Sequence, residues 1–168
     1  MIYNFDELSF QILTIDRFYH KEGIFEVQPR PHAAFSYRVS GTGRFEVDGK
    51  LLQTRVGDVL YIPAHMPYRV EYSVSESIVV HFKDCNYPEA ENISPESSAA
   101  PELLFRSLLE EWQVRHSVNA AKAGVYGILE RISNDKKTAL SDTAVSPLCP
   151  NRSLLTIHAK ASYMRSSL

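Results

Sequence analysis

Polar and apolar residues alternate through much of the first half of the chain. Phe35, Tyr37 and Val39 interleave with Ser36, Arg38 and Ser40, and Phe45 and Val47 interleave with Arg44, Glu46 and Asp48. Val59–Ile62 is a short, nearly all-apolar run, Val70–Val74 alternates again, and Ile78–Phe82 ends the pattern. A period of two in β-branched and aromatic residues predicts strands. Weaker strands are expected near Gln11–Ile15, Phe18–Tyr19 and Phe25–Gln28, for about eight in all. The stretch Ser40–Pro67 carries the turns: Gly41, Gly43, Asp48-Gly49, Gly57-Asp58, Pro63 and Pro67. Asp-Gly suits a type I′ hairpin, whose two central residues need positive φ. A chain that reverses every few residues predicts a compact antiparallel barrel.

The period changes in the second half. Residues 86–100 contain Pro88, Pro95, three glutamates and a Ser-Ser-Ala-Ala run, and read as an exposed connector. Pro101 and Glu102 are favourable first residues of a helix. Leu104, Leu108 and Trp112 then recur every four residues, with Phe105 and Leu109 beside them. Val118, Ala121, Val125, Ile128 and Ile132 follow the 3-4 rhythm of a helical packing seam, and Gly124 and Gly127 weaken that helix unless they allow close packing. Residues 133–150, with Lys136-Lys137, Pro147 and Pro150, are expected to form a linker. Leu154, Ile157, Ala161, Met164 and Leu168 resume the rhythm and predict a third helix over 151–168.

Composition narrows the setting. The 168 residues are 44% hydrophobic with a net charge of −2, which suits one domain with a real core and argues against a basic nucleic-acid-binding face. Cys85 and Cys149 are far apart and form no metal-type spacing, as expected of unpaired thiols in a reducing compartment. No leader-like segment and no long apolar run stands out, so the expected location is the cytoplasm, with no membrane partner.

Gly41-x-Gly43-x-Phe45-x-Val47-Asp48-Gly49 followed by Gly57-Asp58-x-x-x-Ile62-Pro63 resembles the cupin barrel. With Arg30-Pro31 before a strand, Val79-Val80-His81-Phe82 as a closing strand and two helices behind, it looks more narrowly like the N-terminal sensor domain of AraC-type transcription regulators. The implied fold is mainly β with α: a double-stranded β-helix or jelly-roll barrel over 1–85, whose residues 1–20 can serve as a movable arm, a connector over 86–100, and an antiparallel dimerisation hairpin over 101–132. Residues 151–168 look like the first helix of a DNA-binding domain whose remainder lies outside this chain. DNA contact is therefore expected only through that absent helix-turn-helix domain.

Cupin enzymes commonly hold a metal with histidines and a glutamate, because imidazole and carboxylate bind first-row metals while leaving positions for substrate. By the resemblance, the glutamate position falls at Ala34, the paired histidine positions fall near Gln28 and Arg30 or Val27 and Pro29, and the last histidine position falls at Tyr68. None can serve, so no metal, cofactor or catalytic residue is expected. The rival expectation is a metal-free epimerase or isomerase using His81 and Tyr68 as acid and base on a sugar derivative.

The same resemblance points Ala34 into the lumen. Strand parity then brings Arg30, Ser36 and Arg38 to the lumen, with Val79 and His81 on the closing strand, Tyr68 opposite and His32 near the rim. Arginine forks suit hydroxyl pairs, carboxylates or phosphates, so the expected effector is a small polar metabolite such as a sugar or organic acid. Leu104, Leu108, Trp112, Val125 and Ile128 are expected to form the interface of a homodimer.

Overall fold

The computed structural model describes residues 7–95 and 99–144, with side chains described to residue 133. Nine strands precede two helices: β1 (Gln11–His20), β2 (Gly23–Val27), β3 (Ala33–Ser40), β4 (Gly43–Val47), β5 (Lys50–Thr54), β6 (Val59–Ile62), β7 (Tyr68–Tyr72), β8 (Ser75–Lys83), β9 (Glu91–Ile93), α1 (Ala99–Arg115) and α2 (Val118–Ala144). They form a five-stranded sheet ordered β1-β8-β3-β6-β9 and a four-stranded sheet ordered β2-β7-β4-β5, with every pair antiparallel. This is the expected mainly-β barrel followed by a helix pair.

The turn chemistry behaves as the residues require. Asp48 and Gly49 both take positive φ, 48° and 71°, and β4 and β5 close directly on them. At the second tight turn the Asp58 backbone NH donates to the Arg55 carbonyl at 3.0 Å, and the Asp58 carboxylate accepts from the Arg55 NH at 2.9 Å.

The five-stranded sheet is buried on both faces. One face carries Ile15, Phe35, Tyr37, Ile78, Val80 and Phe82, and joins Phe105, Leu108, Leu109, Ala121, Val125, Ile128 and Ile132 of the helices in the larger core. The other face looks into the barrel, where Leu60 and Ile62 meet Phe45, Val47 and Val70 of the four-stranded sheet. Phe105 meets Phe35 in a tilted contact at 5.3 Å and stacks on Tyr37 at 5.4 Å, and fully burying such a ring is worth about 2–3 kcal/mol.

Four expectations change. Residues 11–20, expected as two weak strands that also belong to a movable arm, are one strand, β1, held to β8 from Gln11↔Lys83 to His20↔Ser75. A register shift between Ile12 and Thr14 puts Ile12 and Ile15 inward at a spacing of three, which hides the period of two. Residues 91–93, expected in an exposed connector, are β9, which pairs with β6 and buries Ile93.

Of the linker expected over 133–150, residues 133–144 are the last part of α2, and the rest lies outside the described residues. Residues 133–144 are polar but contain neither Gly nor Pro, and nothing in them stops a helix.

The fourth change concerns the dimer seam. Leu108, Val125 and Ile128 are spent within the protomer, buried between the helices and the five-stranded sheet, and Leu104 and Trp112 pack half-buried against the same core. An amphipathic stripe beside an apolar sheet face docks there first. The expected third helix over 151–168 and Cys149 lie outside the described residues.

Candidate functional site: the barrel lumen

The lumen is open at its mouth and holds about 80 Å³ of free space, narrower than most preformed small-ligand sites. Its wall comes from both sheets. Ala34, Ser36 and Arg38 project from β3, Ser77, Val79 and His81 from β8, Leu60 and Ile62 from β6, Phe18 and His20 from β1, Phe45 from β4, and Tyr68 and Tyr72 from β7, with Arg30 on the approach to β3. Of the expected ligand residues, Arg30, Ser36, Arg38, Tyr68, Val79 and His81 therefore share one cavity. Ala34 and Tyr68, two of the four positions that the resemblance assigns to metal ligands, are on its wall.

His32 is not on that wall. The loop before β3 breaks the strand parity, and the ring instead meets His81 edge-on, with centroids 4.7 Å apart.

Phe18, His20, Phe45, Leu60, Ile62 and Tyr72 also line the wall and escaped the parity argument. Phe18 and His20 lie beyond the register shift in β1, and Tyr72 lies two strand repeats past Tyr68 on β7. Counting Tyr68, Val70 and Tyr72 as one face would have found Tyr72.

Arg38 is the most heavily buried charged group of the wall, at 4% exposure. One Nη donates to Ser75 Oγ at 3.2 Å and the other to Thr54 Oγ1 at 3.3 Å, both neutral acceptors. Its Cζ lies 5.3 Å from the centre of the Tyr72 ring. Its Nε is buried with no hydrogen-bond partner. Thr54 Oγ1 in turn donates to the Gly43 carbonyl at 3.2 Å. Gly43 makes room for this group, since a Cβ there would lie 2.9 Å from Arg38 Nη2. Burial lowers the Arg38 pKa, while Tyr72 and Asp58 oppose that shift.

Arg30 repeats the motif at the rim, with its Cζ 5.4 Å from the centre of the Tyr68 ring.

The lumen histidines are neutral at physiological pH. Burial, reinforced by His32 and Arg30, takes His81 down to about 4, and burial with the nearby Arg38 takes His20 to about 4. His32 is lowered too, by burial and then Arg30. Burial raises the hydroxyls of Tyr68 and Tyr72, the latter to about 12. A neutral imidazole offers one donor and one acceptor, and a protonated phenol can do both. The lumen therefore offers guanidinium donors, neutral imidazoles, phenols, the hydroxyls of Ser36 and Ser77, and aromatic faces.

Among the described residues no three of His, Cys, Asp and Glu come together as a metal site. No helix among them is long and apolar enough to cross a membrane.

Residues 18–82 match the family model of the cupin domain, which places the lumen-forming strands within a cupin barrel. Among solved structures, the AraC-like transcriptional activator CuxR matches over 89% of this chain and 57% of its own, at 15% identity and a TM-score of 0.55. That match takes in the helices as well as the barrel. A Ralstonia eutropha protein assigned as a mannose-6-phosphate isomerase is 25% identical over 46% of this chain and 85% of its own, with a TM-score of 0.38. A Bacillus subtilis oxalate decarboxylase is 18% identical over 51% of this chain and 30% of its own, also with a TM-score of 0.38. No curated protein matches the sequence. The chain spans just over half the length of CuxR.

Proposed function

We propose that this chain is the effector-sensing part of an AraC-type transcription regulator, binding a small polar metabolite in its barrel and acting as a dimer. The observation that carries this reading is the shared five-stranded sheet. Its inner face lines a polar lumen and its outer face seats α1 and α2, so cavity and helix pair are two sides of one partition. The CuxR match, which spans barrel and helices together, supports the same architecture. A ligand that prefers one arrangement of β3 and β8 biases the helices packed behind them, which is what a receptor module requires. DNA binding belongs to a helix-turn-helix domain outside this chain, and the whole acts in the cytoplasm.

Isothermal titration against sugars and organic acids tests the proposal. Binding that Arg38→Gln and Ser36→Val weaken supports it, and a panel with no binder counts against it.

The rival is a metal-free epimerase or isomerase, favoured by His81 and Tyr68 sharing the lumen. An imidazole of pKa about 4 is a weak base at neutral pH, far from the matched value that general-base catalysis favours. Turnover of any sugar derivative that is lost in His81→Gln would reverse this preference.

A further inference from the structure

We infer that the effector is an anion, a small metabolite bearing a carboxylate or phosphate that bonds the two guanidiniums of the lumen. This rests on the receptor reading above and narrows it to a charge class.

The wall contains two permanent cations, Arg30 and Arg38, and no carboxylate. Among the described residues neither guanidinium forms an ion pair. The acids around the lumen are already engaged. Asp58, behind Arg38, accepts from the Arg55 NH at 2.9 Å and from Asn92 Nδ2 at 3.3 Å. Asp16, near His81, accepts from the Thr14 hydroxyl, and Glu76 pairs with Arg17 at 3.3 Å.

A buried charge is costly unless a counter-charge and hydrogen bonds satisfy it. Arg38 meets the hydroxyls of Ser75 and Thr54 and the ring and hydroxyl of Tyr72, all of them neutral, and keeps an unmatched Nε. An oxyanion is the missing partner, since it accepts several N–H donors at once and charge-assisted bonds are the strongest available.

Both cations also converge. Both line one cavity, Arg38 against the ring of Tyr72 and Arg30 against the ring of Tyr68, four residues apart on β7. The neutral histidines add donors without adding a charge that varies with pH. A neutral sugar satisfies the hydroxyls of this wall but leaves both guanidiniums without a counter-charge.

The test is a thermal-shift and calorimetric panel on the whole chain, built from matched pairs: glucuronate with glucose, succinate with succinamide, and glucose 6-phosphate as the phosphate arm. At least one acid is expected to raise Tm by several degrees where its neutral counterpart at equal concentration does not, with Kd weakened at least ten-fold in Arg38→Gln and in Arg30→Gln. The variants separate this from the general stabilisation that excluded anions give any protein. Glucose 6-phosphate against glucuronate tells a phosphate from a carboxylate.

Arg38→Met supplies the structural control. Without ligand its Tm should equal or exceed that of the parent chain, and a fall of more than about 5 °C would make Arg38 a structural residue and overturn the inference. A neutral compound that binds as tightly as its acid, or an acid shift that survives Arg38→Gln, also overturns it while leaving the receptor reading intact. If neither acids nor neutral compounds bind, both fall together.

Discussion

The guanidinium of Arg38 lies over the ring of Tyr72, 5.3 Å from its centre, and His20 stacks on the same ring with centroids 4.1 Å apart and planes 15° from parallel. One tyrosine therefore holds both a permanent cation and a neutral imidazole against the wall of the lumen. Tyr72→Ala should remove this support and cost about 2 kcal/mol, below the value for a fully buried aromatic because the ring is half-buried. Tyr72→Phe, which keeps the ring face, should cost about 1 kcal/mol. Urea unfolding would compare them, and equal losses would show that the ring is not what matters.

Gly43 should be intolerant of even one methyl group. Its Cβ would lie 2.8 Å from the Phe45 ring, 2.9 Å from Arg38 Nη2 and 3.0 Å from Thr54 Oγ1. Gly43→Ala is expected to destabilise by about 1–3 kcal/mol, the usual cost of overpacking, and to push Arg38 off Thr54. An unchanged unfolding midpoint would contradict this.

The two glycines of α2 should behave in opposite ways. At Gly127 a Cβ meets nothing within 4 Å, so Gly127→Ala should stabilise by about 1 kcal/mol through helix propensity alone. At Gly124 a Cβ would come within 2.9 Å of Leu108 Cδ1, where α1 crosses α2. Gly124→Ala should therefore lose most or all of that gain. Chemical denaturation of the two variants side by side tests the contrast.

Stability should fall on mild acidification. The unfolded imidazoles protonate as pH falls through about 6.5, whereas folded His20 and His81 stay neutral to about 4. Between these values the unfolded state binds more protons, so stability present above pH 6.5 is lost progressively down to about pH 4. Each site contributes a slope of at most about 1.4 kcal/mol per pH unit. Histidine titrations by NMR would locate the two groups, and a midpoint near 6.5 for both would refute the effect.

The dimer prediction moves to the outward side of α1. Leu103 and Val114 are 70% and 71% exposed and, roughly three turns apart, lie on one side of the helix. If the protein dimerises through its helices, Leu103→Glu with Val114→Glu should yield a folded monomer by sedimentation, whereas Ile128→Glu, at a fully buried position, should unfold the protomer. A monomeric parent chain would remove dimerisation from the proposal.

Much of the barrel is legible in the residues themselves. Alternation in β3 and β8 predicts which side chains enter the lumen, because a strand buried on one side by a cavity and on the other by helices still obeys a period of two. What stays hidden has physical causes. The irregular register near Ile12 weakens the signal of β1, which reads as two short strands instead of one, and three residues are too few for β9 to show any period. The stripe Leu108, Val125 and Ile128 looks the same whether its partner is a second protomer or the protein's own sheet, since periodicity reports that a face is buried and not what covers it. Tyr72 needed the full length of β7 to be seen as a wall residue.

Phe35 and Tyr37 point to the helices while Ala34, Ser36 and Arg38 point to the cavity, and this has a consequence for how such a module can change over generations. New effector preferences can arise by replacing alternate residues of β3 one at a time, leaving the helix seat untouched. Inserting or deleting a single residue would exchange the two sets, turning phenyl rings into the cavity and a guanidinium into the helix seat. The strand can thus diversify in identity but not in length, and its eight positions should form a block free of gaps in any lineage that keeps both the pocket and the helices.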